Sequence, residues 1–303
     1  LLVIGYVGLG FGTLEQAANG AGLVLAASIF KDFVLPKLSK TKRYVICPVI
    51  DMANHNSVHT CGEVSFEFFG DAYSLAVMAP VVRGNEIYIS YGGRSNDQLL
   101  QYYGFLEEDN PHDVYVMPPL REWNIEELET ACGRTFAPGR LEKLNRAGLL
   151  GSTTVSIATT TTSATSGSAI VNANNDKDDE EYGNPRGGVV LTRANGLDPA
   201  VLQALRALVS TQDEWLSAGS SIGNFVEPLN ADNERAARLA ARRAVALELE
   251  SKPTTLQQDL ELLSRFKGSQ SLQDAVMEQE LAIRFRIEKK KVLQETMDKL
   301  VSS

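Results

Sequence analysis

The sequence predicts an α+β protein in which a part made of short strands precedes an all-α part. Three observations carry this: strand-like runs rich in β-branched and aromatic residues between 44 and 118, helical periodicity with capping signals from 196 onward, and a Ser/Thr/Gly/Asn-rich stretch at 151–188 between them. At 303 residues and 44% hydrophobic, the chain can bury one large core or two ordinary ones.

The opening LLVIGYVGLGFGTLEQ starts at Leu1 and lacks a basic n-region, so a chain missing its N-terminal part is expected. That apolar run and the next, AGLVLAASIF (21–30), are shorter than the roughly 20 residues a spanning helix needs. Both are expected to be buried segments of a soluble protein. YVICPVI (44–50), VSFEFF and AYSLAVM joined by Gly70-Asp71, and EIYIS (86–90) then read as strands in a mostly antiparallel arrangement.

After the last of these, Ser95 and Gln98 have capping-box spacing and Gly104 stands where a C′ glycine ends a helix. A short helix there places Tyr91 before its first turn and Tyr103 and Phe105 around its last, so aromatic groups converge on one cleft. The 151–188 stretch, ending in DKDDEEYGNPRGG, cannot bury enough apolar area to offset the entropy of ordering and is expected to be a disordered insert. Beyond it, Asp198-Pro199 forms an N-cap and N1 pair, and Thr255 with Gln258 a second capping box. Leu272, Val276, Ile283 and Ile287 lie at helical spacing in a last long helix that carries Lys289, Lys290 and Lys291.

A formal net charge of −9 argues against a nucleic-acid surface and favours a basic protein partner. Cys47, Cys61 and Cys132 are an odd number in unrelated contexts, which favours a reducing compartment over a disulfide framework.

Taken together, DMANH (51–55), RGNEIYISYG (83–92), RSN (94–96) and YGF (103–105) resemble, in this order, the C-terminal half of a SET domain. The likeness is strongest to the Rubisco large-subunit lysine methyltransferase class, which also includes actin histidine and ribosomal-protein lysine methyltransferases. TTLQQDLELL (254–263) and AIRFRIEKKKVL (282–293) resemble the helical substrate-binding domain of the same class. The resemblance implies a SET-type β fold lacking its N-terminal part at 1–119 and an all-α substrate-binding domain at 120–303, interrupted by the insert. It implies S-adenosyl-L-methionine (SAM) as cofactor and a protein substrate; the charge and the short apolar runs add the expectation of no nucleic acid and no membrane, and a monomeric state is expected. An intracellular location follows, in plastid, cytoplasm or nucleus. The reaction implied is methyl transfer to a side-chain nitrogen, of lysine or of histidine; a catalytically silent binding module is the alternative.

By the same resemblance Asn54 and His55 are cofactor-binding, since an Asn amide or a backbone amide offers the donor and acceptor that an adenine edge requires. Tyr91 is the catalytic tyrosine whose hydroxyl lies beside the transferring methyl, and Tyr103 and Phe105 line the acceptor channel. Asp51 matches an acid near substrate or cofactor, and reads equally as a turn former. His59 and Cys61 raise metal binding with His55, but Asn56 and Ser57 disfavour the helix that would align the two histidines and no fourth ligand appears, so no metal is expected. Two family features are altered: Gly8-Leu9-Gly10 lacks the surroundings of the usual SAM-binding Gly-x-Gly, and AASIFKDF (26–33) has no arginine.

Overall fold

A computed structural model describes residues 13–30, 45–67, 72–137, 139–146, 188–266 and 273–302. The expected insert, apart from Gly188, the Gly70-Asp71 turn, Gly8–Gly10 and Leu272 lie outside the described residues. The fold is α+β, and the chain forms two compact units, Leu1–Met52 and Ala53–Ser303.

In the first unit, α1 (Leu14–Ile29) and a 3-10 turn at Ile50–Met52 are the regular elements among the described residues. The apolar run of α1 is not buried as expected: Leu23 is 75% and Val24 66% exposed, because the described part of the unit offers no helix or sheet to cover them. Val45–Ile50 does not form the expected strand either. Asp51 N donates to Cys47 O (2.8 Å) and Cys47 N donates to Asp51 Oδ2 (2.7 Å), a local closure incompatible with an extended chain. Pro48, between them, could not have donated to a ladder.

The second unit begins with the hairpin of β1 (Gly62–Glu67) and β2 (Ala72–Val77), antiparallel in the register Gly62↔Val77 to Glu67↔Ala72. The expected strand at 86–90 shrinks to single bridges at Ile89, which meets His55 on one side and Gly62 on the other. The chain from His55 to Gly62, where β1 starts, folds over an Asx turn in which Asn56 Oδ1 accepts from Val58 N (3.0 Å) and His59 N (2.6 Å), and the contact with Ile89 stays at single bridges. The short helix α2 (Asn96–Tyr103) is present with both capping-box bonds, and Gly104 ends it at φ +75°.

The sheet β3–β4–β5 (Val114–Met117, Val189–Thr192, Gly196–Leu197) is antiparallel throughout. Its last two strands lie in a stretch that the sequence presents only as a lead-in to helices. The helices are α3 (Ile125–Cys132), α4 (Arg140–Arg146), α5 (Pro199–Val209), α6 (Gln212–Ser217), α7 (Ala231–Glu250), α8 (Leu256–Phe266) and α9 (Gln273–Ser302). Asp198 caps α5 by accepting from Ala200 N (2.8 Å), and Thr255 and Gln258 cap α8 reciprocally, as their spacing predicts.

At the centre stands α7, whose Ala236, Ala237, Ala240, Ala241 and Ala244 are all buried. Alanines repeating three and four apart keep one face of α7 shallow, so that α3, α5 and α9 pack against it at short range. Leu205, Leu208 and Leu293 fill the space around that face at 0–1% exposure.

The lysine run on α9 is not a solvated face. Consecutive helical residues point about 100° apart, so the three side chains leave in three directions. Lys289 reaches Asp97 and Asp113, Lys290 reaches Asp259, and Lys291 reaches Asp109 and Glu288. Through Lys289 and Lys291, the last helix is thereby tied to α2 and to the segment that follows it.

Candidate functional site

The site is built where the chain at 54–56 lies beside Ile89. Ile89 N donates to Asn54 O (2.9 Å) and Asn56 N donates to Ile89 O (3.3 Å), so the backbone N–H and C=O of His55, between them, face away from Ile89. The His55 side chain turns inward and is fully buried. Its Nδ1 accepts the Tyr91 backbone N–H (3.1 Å), which leaves Nε2 to carry the proton of the neutral ring. Facing Nε2 are Ser57 Oγ (3.1 Å) and Glu107 Oε2 (3.4 Å).

Tyr91 is pinned at two points: its N–H on His55, and its hydroxyl, which donates to Ala53 O (2.8 Å). Burial, then the nearby Tyr103 and Glu86, push its phenol above the ordinary tyrosine value, so it is a neutral hydroxyl at physiological pH. Gly92 follows at φ +93°, a left-handed turn that a side chain disfavours, and it carries the backbone away from the ring.

Four rings then close a circuit. His55 stacks on Tyr91 (centroids 5.1 Å apart), Tyr91 meets Tyr103 (4.8 Å), Tyr103 meets Phe105 (6.2 Å) and Phe105 returns to His55 (6.2 Å). Local rules make this possible, since Tyr103 is the last residue of α2 and the left-handed Gly104 swings Phe105 back toward it. Tyr103 stays 48% exposed and forms the rim. Such a cluster presents π faces that favour a cationic or alkylated nitrogen and exclude water.

Asn54 lies at the exposed edge, its Nδ2 donating to Glu86 Oε1. Asp51 belongs to the first unit, where its carboxylate serves the turn at Cys47, the second of its two expected readings. Asn54, His55, Tyr91, Tyr103 and Phe105 thus lie in one unit, and the last four are in mutual ring contact. A cleft of about 480 Å³ opens beside them, lined by His55, Asn56, Tyr88, Phe105 and Glu107 among others, so His55 and Phe105 are the wall between cage and cleft. Among the described residues no group of three His, Cys, Asp or Glu side chains is arranged to hold a metal.

Sequence reasoning passes over three supporting groups. Glu107 receives Ser57 N and Ser57 Oγ, each at 2.6 Å. Asn96 clamps the backbone of Glu107 by accepting its N–H and donating to its C=O, both at 3.0 Å. Asp113, fully buried, accepts from Asn96 N (3.0 Å) and from Lys289 Nζ (2.8 Å). The available signal was the acid run Glu107-Glu108-Asp109, which begins two residues after Phe105 and reads from sequence as a solvated turn.

A family model described as Rubisco LSMT substrate-binding matches residues 135–293. Human N-lysine methyltransferase SETD6 is 28% identical over 111 residues, covering 35% of this chain and 23% of that protein. Ribosomal lysine N-methyltransferase 1 of Saccharomyces cerevisiae is 25% identical over 95 residues, covering 31% of this chain and 16% of that protein. The matched part therefore spans less than a quarter of either relative. Among solved structures, Rubisco LSMT bound to sinefungin and monomethyllysine aligns at TM-score 0.46 and 17% identity, covering 95% of this chain and 63% of that one. Rubisco LSMT bound to AdoMet aligns at TM-score 0.45 and 18% identity, with the same coverage.

Proposed function

The chain belongs to the Rubisco LSMT substrate-binding family, and from that premise we propose that it is part of a SAM-dependent protein methyltransferase whose acceptor is a lysine side chain. The observation that carries this reading is the closed circuit of His55, Tyr91, Tyr103 and Phe105 with the Tyr91 hydroxyl fixed in it. The names of the two relatives, both lysine N-methyltransferases, support the choice of acceptor.

The residues present fit the cofactor. The N–H and C=O of His55 that face away from Ile89 are a donor and an acceptor at fixed separation, the pair an adenine edge needs, and Asn54 borders them. SAM supplies an electrophilic methyl on a sulfonium. An acceptor nitrogen would have to be aligned with that methyl and kept from water, and these are the tasks left to the residues of the chain.

In this scheme Tyr91 keeps its proton on Ala53 O, and its oxygen retains lone pairs that can face developing positive charge. Tyr103 and Phe105 hold the lysine stem and keep water from the attacking nitrogen. That nitrogen must be neutral, and moving a lysine from about 10.4 to about 8 takes roughly 3 kcal/mol of desolvation or adjacent positive charge, which an aromatic wall and a sulfonium provide together. The negative chain charge favours a basic protein substrate, and three free cysteines suit an intracellular location.

The test uses the full-length protein with Tyr91→Phe, which keeps the ring contacts and removes the hydroxyl. SAM affinity by calorimetry should be unchanged while turnover falls roughly 10-fold or more, equivalent to about 1.4 kcal/mol or more of transition-state stabilisation. A wild-type rate in this variant would return Tyr91 to a packing role.

A further inference from the structure

Tyr91 depends on His55, whose neutral ring accepts at one nitrogen and donates at the other. For Nδ1 to accept the Tyr91 N–H, the ring proton must be on Nε2, and in a side chain with no solvent exposure that proton needs an acceptor. Ser57 Oγ, at 3.1 Å, is nearer to Nε2 than Glu107 Oε2, at 3.4 Å, but a hydroxyl is both donor and acceptor. Its role is decided by where its own hydrogen goes, and here that hydrogen goes to Glu107 Oε2 at 2.6 Å. The second carboxylate oxygen accepts Ser57 N, also at 2.6 Å, so Glu107 takes both donors of Ser57 and turns the lone pairs of the hydroxyl toward His55.

Without the carboxylate, Ser57 O–H is free to rotate and donate to Nε2. The proton would then reside on Nδ1, where it opposes the Tyr91 N–H donor to donor. Glu107 is well prepared to prevent this: its side chain is 10% exposed and its backbone is clamped on both sides by Asn96.

We propose that Glu107 is a positioning residue that, through Ser57, selects the Nε2–H tautomer of His55 and so fixes the backbone of Tyr91 in the aromatic site. The consequence for turnover rests on the methyltransferase reading; the tautomer does not.

Selective ¹⁵N labelling of histidine, with the His55 resonances assigned by their loss in His55→Asn, reads this ring directly. In the wild-type full-length protein at neutral pH, His55 should carry its proton on Nε2 with Nδ1 bare and coupled to the Tyr91 amide. In Glu107→Ala the proton should move to Nδ1, the Tyr91 amide should lose its exchange protection, and turnover should fall roughly 10-fold or more. Adding Ser57→Ala removes the competing donor, so the double variant should regain the Nε2–H tautomer, a rescue that mere loss of packing would not show.

An Nδ1–H ring in the wild type, or an Nε2–H ring retained in Glu107→Ala, overturns the proposal, and the wild-type reading decides even if the variants fold poorly. Calorimetry with SAM separates the two ideas. A wild-type protein that ignores SAM while the tautomer switches as stated removes the methyltransferase reading and upholds the positioning role.

Discussion

The segment from Ala53 to Asp113 and the helical body that follows are held together by different forces. In the former, Leu99 is the one buried apolar side chain among the described residues, whereas His55, Ser95, Asn96, Gln98, Asn110 and Asp113 are buried polar ones. In the body the proportions reverse: leucines, valines and alanines from β4, α5, α7 and α9 form one continuous core. Area burial is non-directional and tolerates small shifts, while hydrogen bonds fix donor and acceptor within tenths of an ångström. The aromatic site, with the Tyr91 hydroxyl held on Ala53 O, is thus built from the second kind of contact and anchored on a body built from the first. Lys289 is the main anchor, projecting from α9 into Asp113, Asp97 and Val114 O.

This contrast breaks most readily at Lys289. Lys289→Met keeps the stem that packs in the protein but leaves Asp113, with no exposure, as a buried carboxylate lacking its cation. The loss should be about 3–5 kcal/mol in urea unfolding, accompanied by altered near-ultraviolet dichroism from the tyrosines of the cage. A cost below about 1 kcal/mol, the range of exposed pairs, would mean that the anchor is solvated and that the site does not depend on it.

Leu205→Ala probes the other side. Leu205 is fully buried in α5, and its truncation should cost about 2–5 kcal/mol through lost transfer energy and a residual cavity. The prediction that sharpens the contrast is what stays the same: the Tyr91 amide and the His55 ring resonances should not move. Shifts there as large as those in Lys289→Met would show that the two regions are one packing unit.

The same division separates what the sequence reveals from what it hides. Ser95, Gln98 and Gly104 announce α2 because caps are rules about residues three to nine apart, and the meeting of Tyr91, Tyr103 and Phe105 follows from that helix. Asp198-Pro199 and Thr255 with Gln258 are legible for the same reason. Glu107 with Ser57, 50 positions apart, and Lys289 with Asp113, 176 apart, leave no local mark, since each end alone reads as a solvated polar or charged residue. The strand expected at 44–50 fails because the Asp51 carboxylate offers Cys47 a nearer partner than any ladder does. The strand at 189–192 is missed because its partner, Val114–Met117, lies on the far side of the insert.

The smallest effect expected concerns a polar knot inside the helical body, and it tests whether directional bonds matter there too. Glu214 joins three elements: it accepts from Thr211 N at the start of α6 (2.8 Å), from Asn230 Nδ2 at the cap of α7 (3.0 Å) and from Arg134 just after α3 (2.7 Å). Burial pushes its carboxyl upward, but these bonds outweigh it and hold the group down at about 2, against an ordinary value of 4.5. A depressed carboxylate stabilises the fold fully above its unfolded value and loses that contribution as pH falls, here from about 4.5 toward about 2. Glu214→Gln should therefore cost about 1–3 kcal/mol at pH 7, and its deficit against the wild type should shrink through that acid window as the wild-type carboxylate becomes protonated. Urea unfolding at a series of pH values reads the difference directly. A deficit that stays constant from pH 7 to 2 would mean that Glu214 contributes shape rather than charge, and that the helical body, unlike the aromatic site, holds its geometry by packing alone.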